Sequence, residues 1–322
     1  MKQRPQYLLE ALVHAGHPLF FVDPRLSENT IDSGGVSQVK SLAPVPDRGV
    51  ILYTHFAPTS PLIDRFEEAV VIYDILDDLS IYDADEVDLP PKLRVQHHHP
   101  TMMEVADVVI TSNRVLLGRH SAERNDVLLV ENGVDLDLFH PPRPSPARSQ
   151  HVIGYHGAVA SWFDFDLVGA LALARPELTV KIVGPVDDRV ASAASQLERL
   201  ENVEFIPQMP VARVAEVVRS FDVGLIPFVI DEMTQGVTPL KMYEYLASGV
   251  PVLATAIPAC VEEPNVTVIN DIGQLPDLAD AALEIGPEER SALRTASLDA
   301  SWERRIEPLL DRLDELQLRS TP

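Results

Sequence analysis

Twice along this 322-residue chain, apolar runs of strand length alternate with stretches of helical periodicity. A proline-rich break separates the two series. In the first, residues 4–15 carry Leu8, Leu9, Leu12 and Val13 at helical spacing, with Gly16 as a stop, and residues 18–22 read as a strand. Strands are then predicted over 49–53, 69–75, 105–111 and 127–131, with helices over 59–67, where Pro61 falls in the first turn, and 114–121. The second series predicts strands over 151–155, 179–183, 203–206, 223–227 and 251–254, and helices over 165–174, 190–200, 212–220 and 239–248. Such alternation implies an α/β fold in which each parallel sheet is covered on both faces, so two Rossmann-like domains are expected. Residues 140–150, His-Pro-Pro-Arg-Pro-Ser-Pro-Ala-Arg-Ser-Gln, have the composition of a linker. The expected division is 1–143, 144–300 and a closing helical segment, 301–322.

Charge narrows the partners. Against 26 Lys and Arg stand 49 Asp and Glu, a formal net charge of −23, which argues against nucleic acid or an anionic membrane as a broad electrostatic partner. The single cysteine, Cys260, rules out an intramolecular disulfide and fits a reducing, cytoplasmic setting. Residues 1–20 lack the apolar run of a signal peptide, and no later run is long enough to span a bilayer, so any membrane contact is expected to be peripheral.

The stretch 237–255 carries the clearest chemistry. Thr238 suits a helix N-cap and Pro239 a first helical position, with Gly249 and Pro251 ending the helix after Ser248. A helix start leaves backbone N–H groups unpaired and bears partial positive charge. Lys241, one residue beyond Leu240, adds a full charge beside them, a combination that suits phosphate. Glu244 lies three residues further on the same side, where a carboxylate can accept from ribose hydroxyls; a solvated Lys241–Glu244 ion pair is the plain alternative. Gly154-Tyr155-His156-Gly157 follows a strand and lets a phosphate or sugar approach its backbone, or is simply a tight turn in which His156 is structural. His97-His98-His99 reads as a solvated loop, and no metal site is expected from ligand spacing.

Several segments, in order, resemble one family. Arg4-Pro5-Gln6, the run Tyr73-Asp74-Ile75-Leu76-Asp77-Asp78, the run from Ala106 to Ser112, and Asn132-Gly133-Val134-Asp135 with Phe139 and Pro141 are similar to motifs of an acceptor domain. Gly154 to Gly157, the run from Phe221 to Phe228, the 237–255 stretch and Ser301-Trp302-Glu303 are similar to a donor domain and its returning helix. Together they resemble GT-B glycosyltransferases, most of all glycosyltransferase family 4 and the teichuronic-acid-type transferases.

The resemblance implies two Rossmann-like domains facing across a cleft, with a C-terminal helix returning to the first. It implies transfer of a hexose-type sugar from a nucleoside diphosphate, preferably UDP, without metal or further cofactor, to a small-molecule, glycan or lipid-linked acceptor. Lys241 then contacts the pyrophosphate and Glu244 the ribose, while Gly157, His156, Thr238 and Leu240 surround the phosphates.

Three departures matter. Gly236 stands where retaining members carry a second glutamate, eight positions before Glu244, which leaves Glu232 or Asp231 as substitutes. Retention remains the expected course; an inverting reaction would need a general base, for which Asp77 and Asp78 are the candidates, a solvated acidic loop being the alternative. The arginine and lysine usual after the donor glycine loop are replaced by residues 158–164, where Trp162 and Asp164 either shape the sugar pocket or, as the plainer reading has it, are a packed aromatic and an N-cap. The chain also opens at the Arg-Pro-Gln helix, where relatives have a preceding central strand. A rearranged sheet, a start missing from the sequence and reduced activity are the alternatives. The rival functions are a sugar-nucleotide 2-epimerase and a GT-B subunit that binds without turnover.

Overall fold

The structure is a computed structural model that describes residues 3–17, 19–22, 26–31, 36–79, 90, 94–141 and 150–320. Pro18, at the start of one expected strand, and most of the expected linker at 140–150 lie outside those residues. The described chain divides into two compact units: an amino-terminal unit of Gln3–Asn132 with the stretch from Trp302 onward, and a central unit, Gly133–Ser301.

In the amino-terminal unit, β1 (Phe20–Val22), β2 (Thr30–Ile31) and β3 (Ser37–Val39) make a small sheet of order β1-β3-β2. The main sheet is parallel, in the order β4 (Ile51–Thr54), β5 (Val70–Ile75), β6 (Val108–Thr111) and β7 (Leu128–Leu129). Residues Val71 to Ile75 of β5 and all of β6 are buried, as expected of strands covered on both faces. Between β4 and β5 the expected helix is instead the 3-10 segment Ala57–Arg65, because Pro58 and Pro61 remove amide donors that an α-helix would use. The histidine run is helical rather than looped, within Val95–Val105. Trp302–Arg305 and Glu307–Ser320 close the unit, and Trp302 stacks on Tyr7 with ring centroids 5.4 Å apart.

A buried charge sits inside this core. Asp74 in β5 is fully buried, and Arg4, itself 4% exposed, donates to both its oxygens at 3.0–3.2 Å and to Asn132 Oδ1 at 3.2 Å. Tyr53 donates to Asp74 at 2.5 Å. The bidentate pair is what makes a carboxylate tolerable at that depth.

The central unit is one six-stranded parallel sheet: β8 (Val152–His156), β9 (Thr179–Val183), β10 (Val203–Ile206), β11 (Val223–Ile226), β12 (Val252–Thr255) and β13 (Val266–Ile269), in the order β10-β9-β8-β11-β12-β13. Every residue of β8, β11 and β12 is buried. Side chains such as Leu253 and Ile226, with essentially no exposure, each contribute about 1.5–3 kcal/mol by leaving water. Asp164 caps the Phe165–Ala174 helix, accepting from Leu167 N–H at 2.9 Å.

Candidate functional site

The strand order of the central sheet reverses between β8 and β11, and open α/β sheets bind ligands beyond the carboxyl ends of the strands at such a point. There β8 ends in His156 and Gly157 follows, while β11 ends in Ile226 and Phe228 follows shortly after. The Leu240–Ala247 helix is keyed to this spot by Tyr245. Its ring fills the space beside Gly224 of β11, where a Cβ would stand 2.4 Å from it, and its hydroxyl accepts from His156 N–H at 3.0 Å and donates to the Gly154 carbonyl at 3.4 Å. Side chains in a helix lean toward its N-terminus, so Lys241 and Glu244, at and one turn beyond the helix start, point toward the strand ends.

Lys241 is half-buried between aromatic rings. Its Nζ lies 5.1 Å from the Tyr155 ring centroid and 4.7 Å from that of Phe228. Among the described residues no carboxylate comes within ion-pair distance of it. Burial pushes its pKa down to about 8, against the opposing pull of Glu244 and Cys260. Glu244 is 6% exposed, with Oε2 lying 3.0 Å from His156 Nε2; His156 is 5% exposed and neither ring nitrogen has a well-aligned hydrogen bond among the described residues. The imidazole also stacks on Phe139, centroid to centroid 6.4 Å.

The helix start differs by one residue from the sequence expectation. Pro239 occupies the N-cap position with no side-chain cap bond, so Thr238, buried, stands one residue ahead of it rather than capping. The amides of Leu240 and Lys241 have no acceptor among the described residues. At the other end Gly249 N–H bonds Leu246 O and Val250 N–H bonds Tyr245 O, which closes the helix in a Schellman turn.

Gly157 holds φ +138°, and a Cβ there would meet Lys241 Cε and the Tyr155 hydroxyl, each at 3.0 Å. Only glycine lets the chain turn there against the lysine. Its own amide, however, donates to Val183 O at 2.9 Å and is not free for a phosphate, whereas the Ala158 amide has no acceptor among the described residues. Sequence reasoning pointed to the loop but not to which of its amides stays open.

The substitutes proposed for the missing glutamate are placed otherwise than a loose loop would place them. Asp231 caps the short Glu232–Gln235 helix, accepting from Thr234 N–H at 2.9 Å, and Glu232 is exposed at its first position. In the amino-terminal unit Asp77 and Asp78 follow β5. Asp78 is not solvated: it is 1% exposed and paired with Arg119. Asp77 is half-buried, and burial, then the neighbouring Asp74 carboxylate, raise its pKa to about 6, with Arg4 opposing.

The structure also assembles a cluster that spacing did not reveal. His99, His120 and Glu123, 21 and 24 positions apart from the first, each offer a ligand atom within 4.8 Å of the others. His99 was expected on a solvated loop, but the helix carries it inward to 8% exposure. Burial, and then the His120 imidazole, lower the pKa of His99.

Comparison with known proteins follows the same division. Residues 150–285 match the family model described as glycosyl transferases group 1. The solved structure of sucrose-phosphate synthase from Thermosynechococcus elongatus superposes with a TM-score of 0.68 at 16% identity, covering 97% of this chain and 92% of that one. This chain has the GT-B fold. The residues that match the group 1 model lie within its central unit. Anabaena HepE, solved with UDP-glucose, aligns with a TM-score of 0.62 at 16% identity, over 83% of this chain and 78% of that one. Among curated sequences, a Bacillus subtilis (strain 168) protein named for teichuronic acid biosynthesis, glycosyltransferase TuaH, is 32% identical over 145 residues, 43% of this chain and 36% of that protein. The D-inositol 3-phosphate glycosyltransferase of Mycolicibacterium smegmatis is 26% identical over 234 residues, 65% of this chain and 53% of that protein. The GT-B chain described here therefore spans between about a third and a half of the length of these curated relatives.

Proposed function

We propose that this chain is a glycosyltransferase that takes a hexose-type sugar from a nucleoside diphosphate, UDP for preference. The observation that carries the reading is Lys241: among the described residues an ammonium without a carboxylate at ion-pair distance, at the switch point of the central sheet, beside amides of Leu240, Lys241 and Ala158 that have no acceptor there. An anion of two phosphates satisfies all of these groups together. Breaking the glycosidic bond builds charge on the leaving diphosphate, and preorganised amides with a cation stabilise that charge without a metal. Glu244 takes the ribose hydroxyls, its Oε2 lying 3.0 Å from His156 Nε2. The GT-B fold, the group 1 domain and the UDP-glucose bound by HepE support this assignment.

In the amino-terminal unit Asp77 is the carboxyl suited to take a proton from an acceptor hydroxyl, since its pKa of about 6 lies near the working pH. That role serves inversion; retention needs no such base, and the anomeric configuration of the first product, read by NMR, decides between them. The acceptor proposed is a small molecule, a glycan or a lipid-linked molecule.

A second reading, binding of a nucleotide sugar without transfer, is favoured by one observation. Asp231 is committed as a cap and Glu232 is exposed, with Gly236 where the resemblance places a sugar-binding glutamate. Incubation with UDP-, GDP- and dTDP-sugars, with and without acceptors, separates the readings. Release of free nucleotide that depends on acceptor supports transfer. Stoichiometric binding with no release supports the second reading, and no binding of any nucleotide overturns both.

A further inference from the structure

The geometry points to a divalent transition-metal site, of the zinc class, formed in the amino-terminal unit by Nε2 of His99, a ring nitrogen of His120 and the carboxylate of Glu123. The three residues reach one point from two helices and a turn: His99 from Val95–Val105, His120 from the last position of Arg114–His120, and Glu123 from just beyond it. Donors bound tetrahedrally to one ion at about 2.0–2.1 Å stand about 3.3 Å apart. Here His99 Nε2 is 3.4 Å from Glu123 Oε2, and His120 Nδ1 is 3.1 Å from Glu123 Oε1.

Two further observations point to a ligand. The Nε2 atoms of His99 and His120 are both buried, in residues 8% and 3% exposed, and among the described residues neither makes a well-aligned hydrogen bond. Leaving a desolvated nitrogen unsatisfied is costly, and an ion taken up by His99 Nε2 removes that cost. The other nitrogen of His99, Nδ1, meets the Tyr73 hydroxyl at 3.0 Å. A hydrogen bond from the second ring nitrogen is the usual means by which a ligating imidazole is oriented and its free nitrogen left with a lone pair.

The scaffold is braced independently of any ion. Arg124 donates to the carbonyls of Met103 at 3.0 Å and Ala106 at 2.5 Å, tying the turn that bears Glu123 to the end of the helix that bears His99. Glu123 is half exposed, its side chain at 47%, which gives an ion a way in and a water a fourth position. Two imidazoles and one carboxylate favour zinc, cobalt or copper over magnesium or calcium, which prefer an all-oxygen shell. The ion would staple the two helices together; it plays no part in the donor site, so this proposal stands or falls separately from the assigned transfer.

The test uses the full chain, stripped with a chelator and desalted, and titrated calorimetrically with zinc sulfate and optically with cobalt chloride. One equivalent is expected to bind, with the visible bands of four-coordinate cobalt and a rise in melting temperature on adding zinc. Glu123→Gln changes an exposed side chain, so the variant should fold; it should weaken zinc binding at least 10-fold, and His120→Ala more. The His97→Ala/His98→Ala variant removes the neighbouring histidines of the run and should bind as the parent does. Absence of a saturable equivalent in the parent overturns the site. So does equal affinity in Glu123→Gln, or loss of binding confined to the His97→Ala/His98→Ala variant.

Discussion

The two units hold charge in opposite ways. In the central unit a cation, Lys241, is packed among aromatic rings with no carboxylate at ion-pair distance among the described residues, and the rings come from the ends of two neighbouring strands, β8 and β11. In the amino-terminal unit, among the described residues, the two most deeply buried carboxylates are each answered by an arginine: Asp74 by Arg4, Asp78 by Arg119. A paired buried charge reports on stability, whereas an unpaired one at a strand terminus reports on a ligand. The contrast is the ground for the proposed anion site at Lys241 and for reading the Arg4–Asp74 and Arg119–Asp78 pairs as structural.

The largest expected effect tests the scaffolding half. Arg4→Ala leaves Asp74 buried and uncompensated, and should lower the unfolding free energy of the amino-terminal unit by about 3–5 kcal/mol, measured by denaturant titration. A loss below about 1 kcal/mol would mean that water reaches Asp74 and that the contrast between the units is false. Next comes Gly224→Ala, which pushes a methyl group into the Tyr245 ring. Overpacking of this kind costs about 1–3 kcal/mol, and because it displaces the helix bearing Lys241 it should weaken nucleotide binding as well as stability. Stability lost with binding intact would separate Tyr245 from the site.

A smaller effect concerns Asp77. Its pKa is raised to about 6 in the folded chain, so the folded state holds the proton more tightly than the unfolded one. The contribution to stability is thus complete below the unfolded value and lost as pH rises through about 6. Asp77→Asn should then stabilise the chain at pH 7 by on the order of 1 kcal/mol, solvent screening of a half-buried carboxyl being allowed for, and by little at pH 4. An equal gain at both values would assign the effect to packing rather than charge.

How far each unit could be read in advance follows from the same contrast. The alternation of strands and helices was legible because a parallel sheet buried on both faces demands continuous apolar runs, such as Val152 to His156. The stretch around Lys241 and Glu244 was legible because helix start, cation and carboxylate are contiguous. What escaped depended on partners distant in sequence. Nothing local to Arg4 announces Asp74, 70 positions away, and nothing local to His99 announces His120. Backbone commitments were equally hidden: Gly157 gives its amide to Val183, and Pro239 rather than Thr238 takes the cap position. Proline also misled in one place, where Pro58 and Pro61 tightened an expected α-helix into 3-10 turns.

The central claim is that Lys241 is an anion-binding cation, and calorimetric titration with UDP at pH 7 tests it most directly. Lys241→Ala should weaken binding by about 1.5–3 kcal/mol, roughly 10- to 160-fold, the loss of a charged hydrogen bond to phosphate. Because the free ammonium has a pKa of about 8, parental affinity should also fall as pH rises through that value, while the variant's should not follow it. Equal affinity of parent and variant, with the same pH profile, would contradict the account.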